Sequence, residues 1–442
     1  MGWCGLLPLL LHELSSAATP AAIIPASVNV ISNGMLGFPT YRGGKVLQLP
    51  QHGSHSGSAP LLVTGCGRRP GGGDAGCRSV VMRRSLNGGQ TFDAPRVVAN
   101  ASQLVWNGVI LDGIYDGAFV HDASTNTTLM HWGQCIEQCR PVSLQHRRLY
   151  SGIDSLYCPV GGSETDTRWC LLVWPLKGRN QSVWKAPSYM QTRSTDGFET
   201  WTTRNLTAEL GEAVNHLFPD NYYGNGLQLV DGSLLMCGSQ MLFDNPPPGH
   251  KVGATDGGFC VRSTDGGMTF TRGQTFAPDF PPCQPTGCTK MQMQVGQFSN
   301  GTLLVMGGAK GVDTFALSTD RGMSFTAPRP DARLPTSTES DLLVLPRKEK
   351  GGLDNDAIFV SHDFCPGCSP LPDGNNRRNL TISASHDSGK SWRHVALLPN
   401  HGKEDFSGGS CMADMTVGGY ESVAVGYERG SKRFDGKTSG QF

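Results

Sequence analysis

The sequence predicts an all-β chain folded as a six-bladed β-propeller. Three observations point there: an octet repeated five times, hairpin signals that recur once per repeat, and a turn-rich composition with 58 Gly and 28 Pro. The octet reads Ser-x-Asp-x-Gly-x-Ser/Thr-Trp/Phe, the pattern called an Asp box, and its copies begin at Ser85, Ser194, Ser263, Ser318 and Ser385. Asn87 replaces the Asp of the first copy and Phe198 the Gly of the second. Each octet suits a hairpin corner. The Asp or Asn side chain folds back on nearby amides, Gly supplies a positive φ, and the aromatic residue pins the turn to the core. The boxes are scaffold, not catalytic groups.

The copies lie 109, 69, 55 and 67 residues apart, so the first gap is about two units wide and predicts a box-free blade between the first two boxes. With the repeat running through most of the 442 residues, residues 30–430 read as a single closed ring.

Taken in order, residues 1–25 begin Met1-Gly2-Trp3-Cys4-Gly5-Leu6-Leu7 and carry small residues at Ser15-Ser16-Ala17-Ala18, which reads as a leader segment without a basic start. Val46 to Leu49 and Leu61 to Val63 are the first strands of blade one, and Ser79 to Met82 leads through Arg83-Arg84 into the first box. Residues 104–190 are irregular and contain a cysteine-rich insertion from Cys135 to Cys170 that reads as a disulfide-pinned loop. Val230-Asp231-Gly232-Ser233-Leu234 and Phe298-Ser299-Asn300-Gly301-Thr302-Leu303 are hairpins of the form apolar, Asp/Asn-Gly, apolar. Residues 431–442 form a polar tail.

Charge balance excludes some partners. Lys+Arg and Asp+Glu are 37 each, which leaves no electrostatic footprint for nucleic acid or an acidic membrane surface. No 18-residue apolar run exists after the N-terminus, so no transmembrane span is expected. Fourteen cysteines without zinc-type spacing argue for disulfides; 66/77, 135/139, 158/170, 283/288 and 365/368 lie close together, and spacing alone leaves the pairing open. The 12 histidines show no metal-ligand spacing, and no metal or other cofactor is expected. Sequons at Asn100, Asn126, Asn180, Asn205, Asn300 and Asn379 suit a secretory, lysosomal or extracellular protein.

The boxes, together with Tyr41-Arg42, Gly72-Gly73-Asp74-Ala75-Gly76, Gly224-Asn225-Gly226-Leu227-Gln228-Leu229, Arg377-Arg378-Asn379-Leu380-Thr381 and Tyr427-Glu428-Arg429-Gly430, resemble the exo-α-sialidase (neuraminidase) family in order and spacing. The resemblance spans about residues 38–430. It implies a sialic acid glycoside held by an arginine triad, since a fixed guanidinium fork meets a carboxylate bidentately and keeps its charge. Arg42 matches the first arginine and Arg377 the third, while Glu428 matches the glutamate that holds the first in place. Asp74, nine residues before Arg83, matches the acid/base aspartate, and Arg68 matches an arginine that contacts the sugar.

The departures carry equal weight. The family continues Arg-Ile-Pro where this chain has Arg42-Gly43-Gly44. The family attacks the anomeric carbon with a tyrosine activated by a glutamate. Here Met412 stands at the tyrosine position, Gln292 at the glutamate position and Gly308 at the second arginine, with Lys310 the nearest cation. Tyr420 is eight residues off register and belongs on the next strand.

Two functions stand. One is an exo-α-sialidase-like glycoside hydrolase releasing terminal sialic or related nonulosonic acids from glycoproteins, gangliosides or oligosaccharides, with an altered mechanism. The other is a catalytically degenerate glycan-binding protein on the same fold.

Overall fold

The computed structural model describes residues 2–10, 28–50, 59–68, 77–100, 104–106, 109–111, 113–135, 189–206, 225–241, 255–274, 292–309, 311–336, 340–346, 356–363, 379–398, 406–417 and 420–430. The chain begins with β1 (Gly2–Leu10), β2 (Val28–Ile31), β3 (Thr40–Arg42), β4 (Val46–Gln48), β5 (Leu61–Arg68), β6 (Cys77–Ser85) and β7 (Arg96–Asn100). A hairpin of β8 (Leu104–Trp106) and β9 (Val109–Leu111) follows. Then come β10 (Gly113–Asp122), β11 (Thr127–Cys135), β12 (Tyr189–Ser194) and β13 (Thr202–Asn205). The next four are β14 (Leu227–Gln228), β15 (Leu234–Met241), β16 (Thr255–Ser263) and β17 (Thr271–Arg272). They lead to β18 (Gln292–Gln297), β19 (Leu303–Ala309), β20 (Gly311–Ser318) and β21 (Arg329–Thr336). The last are β22 (Asp341–Leu345), β23 (Ala357–Asp363), β24 (Leu380–Ser385), β25 (Arg393–Leu397), β26 (Phe406–Val417) and β27 (Tyr420–Gly430).

From β10 onward each successive group of four pairs as an antiparallel sheet in chain order, up to β25. Strands β3, β5, β6 and β7 form another sheet, with β4 continuing β3 along β5, and a last sheet has the order β2-β1-β27-β26. First strands face one another around an axis: β14 against β10, β18 against β14, β22 against β18, β26 against β22, and β4 against β26. This is an all-β β-propeller.

Strands sandwiched between neighbouring sheets are buried on both faces, whether they begin as an apolar run or, like Leu380-Thr381-Ile382-Ser383-Ala384-Ser385, alternate apolar with small hydrogen-bonding residues. β5 and β24 are buried along their whole lengths. The cores are seams between sheets, such as Phe359, Leu380 and Ile382 of one sheet against Met412, Val425 and Tyr427 of the next. Outer strands such as β25 carry Arg393 and His394 and face water, which blunts their edges. Among the described residues no helix is long and apolar enough to cross a membrane.

Each box follows the third strand of a sheet. In the fourth copy the Ser318 hydroxyl donates to Asp320 Oδ1 at 2.8 Å and accepts the Gly322 amide at 2.9 Å, while Asp320 also takes the Ser324 amide at 2.8 Å. Asn87 preserves this geometry, accepting the Thr91 amide at 2.9 Å. Burial pushes the Asp265 carboxyl up, but the hydroxyl and amide of Thr269 outweigh it and hold it at about 2. Phe198 takes the positive φ reserved for Gly (63°), and its ring is buried edge-on to Phe119 at 5.8 Å, so burial offsets the backbone strain. Arginines of the preceding sheet reach these loops: Arg96 to Glu199 at 2.9 Å, Arg204 to the Gly267 carbonyl at 2.6 Å, and Arg333 to the Gly389 carbonyl at 2.8 Å.

One expectation changes. Among the described residues no four-stranded box-free sheet lies between the first two boxes: β6 and β12, which carry them, belong to neighbouring sheets in contact through β6 and β10. The extra length goes into the β8–β9 hairpin and the β11–β12 connection, of which residues 136–188, with most of the cysteine-rich insertion, lie outside the described residues. The sheet without a box is instead the closing one, built from both ends of the chain. The apolar stretch read as leader supplies β1 over Gly2–Leu10, pairing with β27 from Gly2↔Arg429 to Leu10↔Ser422. Residues 11–27 and the polar tail at 431–442 lie outside the described residues.

Cys237 and Cys260, direct partners on β15 and β16, form a disulfide with Cα atoms 4.0 Å apart, a pairing absent from the close-spaced candidates. Cys66 is also disulfide-bonded. Replacing Cys237 and Cys260 together by Ala is expected to lower stability by about 3 kcal/mol, the loop-entropy value for a closure of this size. Urea denaturation of the double variant checks it, and an unchanged midpoint would assign the bridge no stabilising role.

Candidate functional site

Strand direction sorts the molecule into two faces. In every boxed sheet the third strand runs toward its box, so the opposite face receives the start of the first strand, the end of the second and the start of the third. Of the residues singled out in the sequence, Arg42, Arg68, Gln292 and Glu428 stand on strand ends at that far face. In the β3–β7 sheet it holds Thr40 to Arg42 and Arg68, and Asp74 falls in the β5–β6 connection there, outside the described residues. In the β18–β21 sheet it holds Gln292 at the head of β18, directly opposite Gly308, with Lys310 next in the connection and outside the described residues. In the β22–β25 sheet it holds Asp341 and the head of β24; Arg377 precedes Leu380 by three residues and lies outside the described residues. In the closing sheet it holds the end of β27, where Glu428 pairs with Trp3.

The structure therefore brings Arg42 and Arg68 together on adjacent strands, with Arg42 opposite Cys66 and Arg68 opposite Thr40. Arg42 is half-buried and Arg68 buried. Beside them Tyr41 is buried, donates its hydroxyl to the Met35 carbonyl at 2.7 Å, and is pushed up to about 12 by burial. It stays a neutral phenol at physiological pH. Tyr420 is not brought in: it opens β27, eight residues from Glu428, about 27 Å at strand rise.

Met412 packs into the apolar seam with Phe359, Ile382, Val425 and Tyr427 and is 4% exposed. Its backbone amide donates to Asp341 Oδ2. That carboxyl is one of two charged groups that sequence reading missed; the other is Lys45, fully buried beside β4. Burial pushes Asp341 up to about 7, opposed first by the Lys45 charge and then by the Met412 and Leu342 amides. The same burial, reinforced by Asp341, pushes the neighbouring Cys411 thiol to about 12. Lys45, Asp341 and Met412 belong to three sheets and tie their first strands together under the far face. The only trace in the sequence was a charge at the edge of each apolar run, Lys45-Val46-Leu47 and Asp341-Leu342-Leu343, and nothing there pairs two positions so distant in the chain.

The departure from Arg-Ile-Pro has a backbone cause. Gly43 and Gly44 take φ of 58° and 154°, values closed to Pro, whose ring fixes φ near −65°. The turn they make separates β3 from β4 and carries Lys45 inward, where its amide donates to Thr64 Oγ1 at 3.0 Å. Among the described residues no group of three or more His, Cys, Asp or Glu could hold a metal ion.

With this geometry in hand, comparison with known proteins is informative. A BNR repeat-like domain family model matches residues 140–414. No curated protein sequence matches the chain. Among solved structures, the Hadza microbial sialidase Hz136 superposes with a TM-score of 0.56 at 18% identity, covering 88% of this chain and 65% of that one. The intramolecular trans-sialidase from Ruminococcus gnavus, solved with oseltamivir carboxylate, gives 0.53 at 14% identity, covering 88% and 94%. The leech intramolecular trans-sialidase, complexed with 2,7-anhydro-Neu5Ac, gives 0.54 at 13%, covering 89% and 68%. This chain thus spans slightly less than two thirds of the first of these. At such identities the likeness establishes the fold, and the matched repeat model establishes the lineage: the chain belongs to the BNR repeat-like domain family and has a sialidase-like β-propeller fold.

Proposed function

We propose that the sheets close as a six-bladed propeller, and that its box-opposite face is the glycone site of an exo-α-sialidase-like glycoside hydrolase. Its substrates are terminal sialic or nonulosonic acids on glycoproteins, gangliosides or oligosaccharides, met in a secretory, lysosomal or extracellular setting. One observation carries the reading: Arg42, Arg68, Glu428 and the strand ends flanking Asp74 and Arg377 all fall on one face of consecutive sheets. Arg42 and Arg377 grip the sugar carboxylate, Glu428 orients Arg42, Arg68 contacts the ring region, and Asp74 protonates the leaving oxygen.

The attacking group is what the site lacks. A thioether at Met412 cannot act as a phenolate, and an amide at Gln292 cannot take its proton. Turnover then rests on positioning and charge stabilisation, and it is slow. The second reading, glycan binding without turnover, is favoured by the packing of Met412 into the apolar seam.

Titration of free sialic acid tests the site itself. Arg377→Ala is expected to weaken binding by roughly 2–3 kcal/mol, on the order of a hundredfold, because a charge-assisted contact is lost. Equal affinity in the variant and the parent would remove the proposal.

A further inference from the structure

The six sequons differ in what the fold leaves available. Asn180 and the Ala101-Ser102 continuation of the Asn100 sequon lie outside the described residues. Asn126 is half-buried and donates its Nδ2 to the Thr195 carbonyl at 3.2 Å, and Asn205 and Asn379 are engaged in contacts of their own. Asn300 is different: it stands exposed at the apex of the β18–β19 hairpin. The turn beneath it is closed by the Gly301 amide on the Phe298 carbonyl and the Phe298 amide on the Thr302 carbonyl, both at 2.9 Å. Its Oδ1 accepts the Thr302 amide at 2.9 Å, and its Nδ2 makes no hydrogen bond among the described residues.

A second observation lies beside it. Val230, 75% exposed, is the most exposed of the large apolar side chains described. It sits at the tip of the neighbouring hairpin, with its amide donating to Gln297 Oε1 at 3.0 Å and its Cγ2 3.8 Å from where a Cβ on Gly301 would stand.

We propose that Asn300 carries an N-linked glycan whose first sugar lays its C–H face over Val230. The transfer joins Nδ2 to the anomeric carbon of an oligosaccharide borne on a polyprenyl diphosphate; the amide gives up one proton, and the diphosphate leaves with the electrons of the broken C–O bond. Asn300 lies in the turn after the first strand of its sheet, at the box end, so the glycan projects from the box face and leaves the opposite face clear for sugars.

The test is the full chain expressed behind a secretory leader in insect cells, purified from medium or membranes, and mapped by glycopeptide mass spectrometry. The Asn300 peptide is expected to carry a glycan, Asn300→Gln to lose the mass of one glycan, and Asn126→Gln to lose none. Recovery of the Asn300 peptide wholly unmodified would overturn the assignment. For the contact with Val230, Asn300→Gln is expected to lower Tm by a few degrees in the parent and not in a Val230→Ser background. Equal losses in both backgrounds would overturn the covering role.

Discussion

Lys45→Met is expected to destabilise the protein by about 3–5 kcal/mol at pH 8, because it strands a buried carboxylate that loses its counter-charge. Lys45 and Asp341 are both buried at the meeting point of three sheets, and the Met412 amide rests on the same carboxylate. The loss should shrink at pH 5, where Asp341 without its lysine holds a proton and becomes neutral. Replacing both, as Lys45→Met with Asp341→Leu, should recover most of the stability, since a well-packed apolar pair avoids the desolvation cost. Denaturation curves at the two pH values decide the matter. A loss below about 1 kcal/mol at pH 8 would mean that the charges do not depend on each other. In the parent protein the folded value of about 7 for Asp341 exceeds its ordinary 3.8. Its contribution is therefore complete below about pH 4 and is lost as pH rises through 7, a slope that Asp341→Asn should remove.

Asp74→Asn is expected to lower the residual hydrolysis of an activated aryl sialoside by on the order of a hundredfold or more, the range for loss of a positioned acid. On the proposed assignment of Met412 to the nucleophile position, the parent itself should turn over slowly, and a fluorinated sialoside should trap no covalent tyrosyl intermediate. Tyr420→Phe should change nothing, since Tyr420 lies at the opposite end of β27 from Glu428. A parent enzyme with full sialidase turnover and a labelled Tyr420 would refute both the register of β26 and the assigned loss of chemistry. Turnover that is unaltered in Asp74→Asn would leave glycan binding as the function of this face.

The sequence by itself determined the repeating part of this molecule. Five octets with their serine, aspartate and glycine at nearly constant spacing dictate five hairpin corners, because the serine and aspartate hydrogen bonds that shape them are local, between residues two to four apart. The same holds for the hairpins at Gly232 and Gly301, whose positive φ values of 83° and 85° a glycine announces in advance. Arg42, Arg68 and Glu428 were legible only as single positions in a resemblance; that their strand ends share one face is a matter of register.

What only the tertiary structure decided depends on residues far apart in the chain. Gly2 pairs with Arg429, and no local pattern in either strand announces a partner so far away in the chain. Gly43 and Gly44 looked like a lapse from a motif; their backbone angles show a turn that carries a lysine inward. Lys45 and Asp341 each stand beside an apolar run, with nothing in the sequence to pair them. They meet in the core because ring geometry brings the first strands of distant sheets around one axis, and no local pattern encodes that distance.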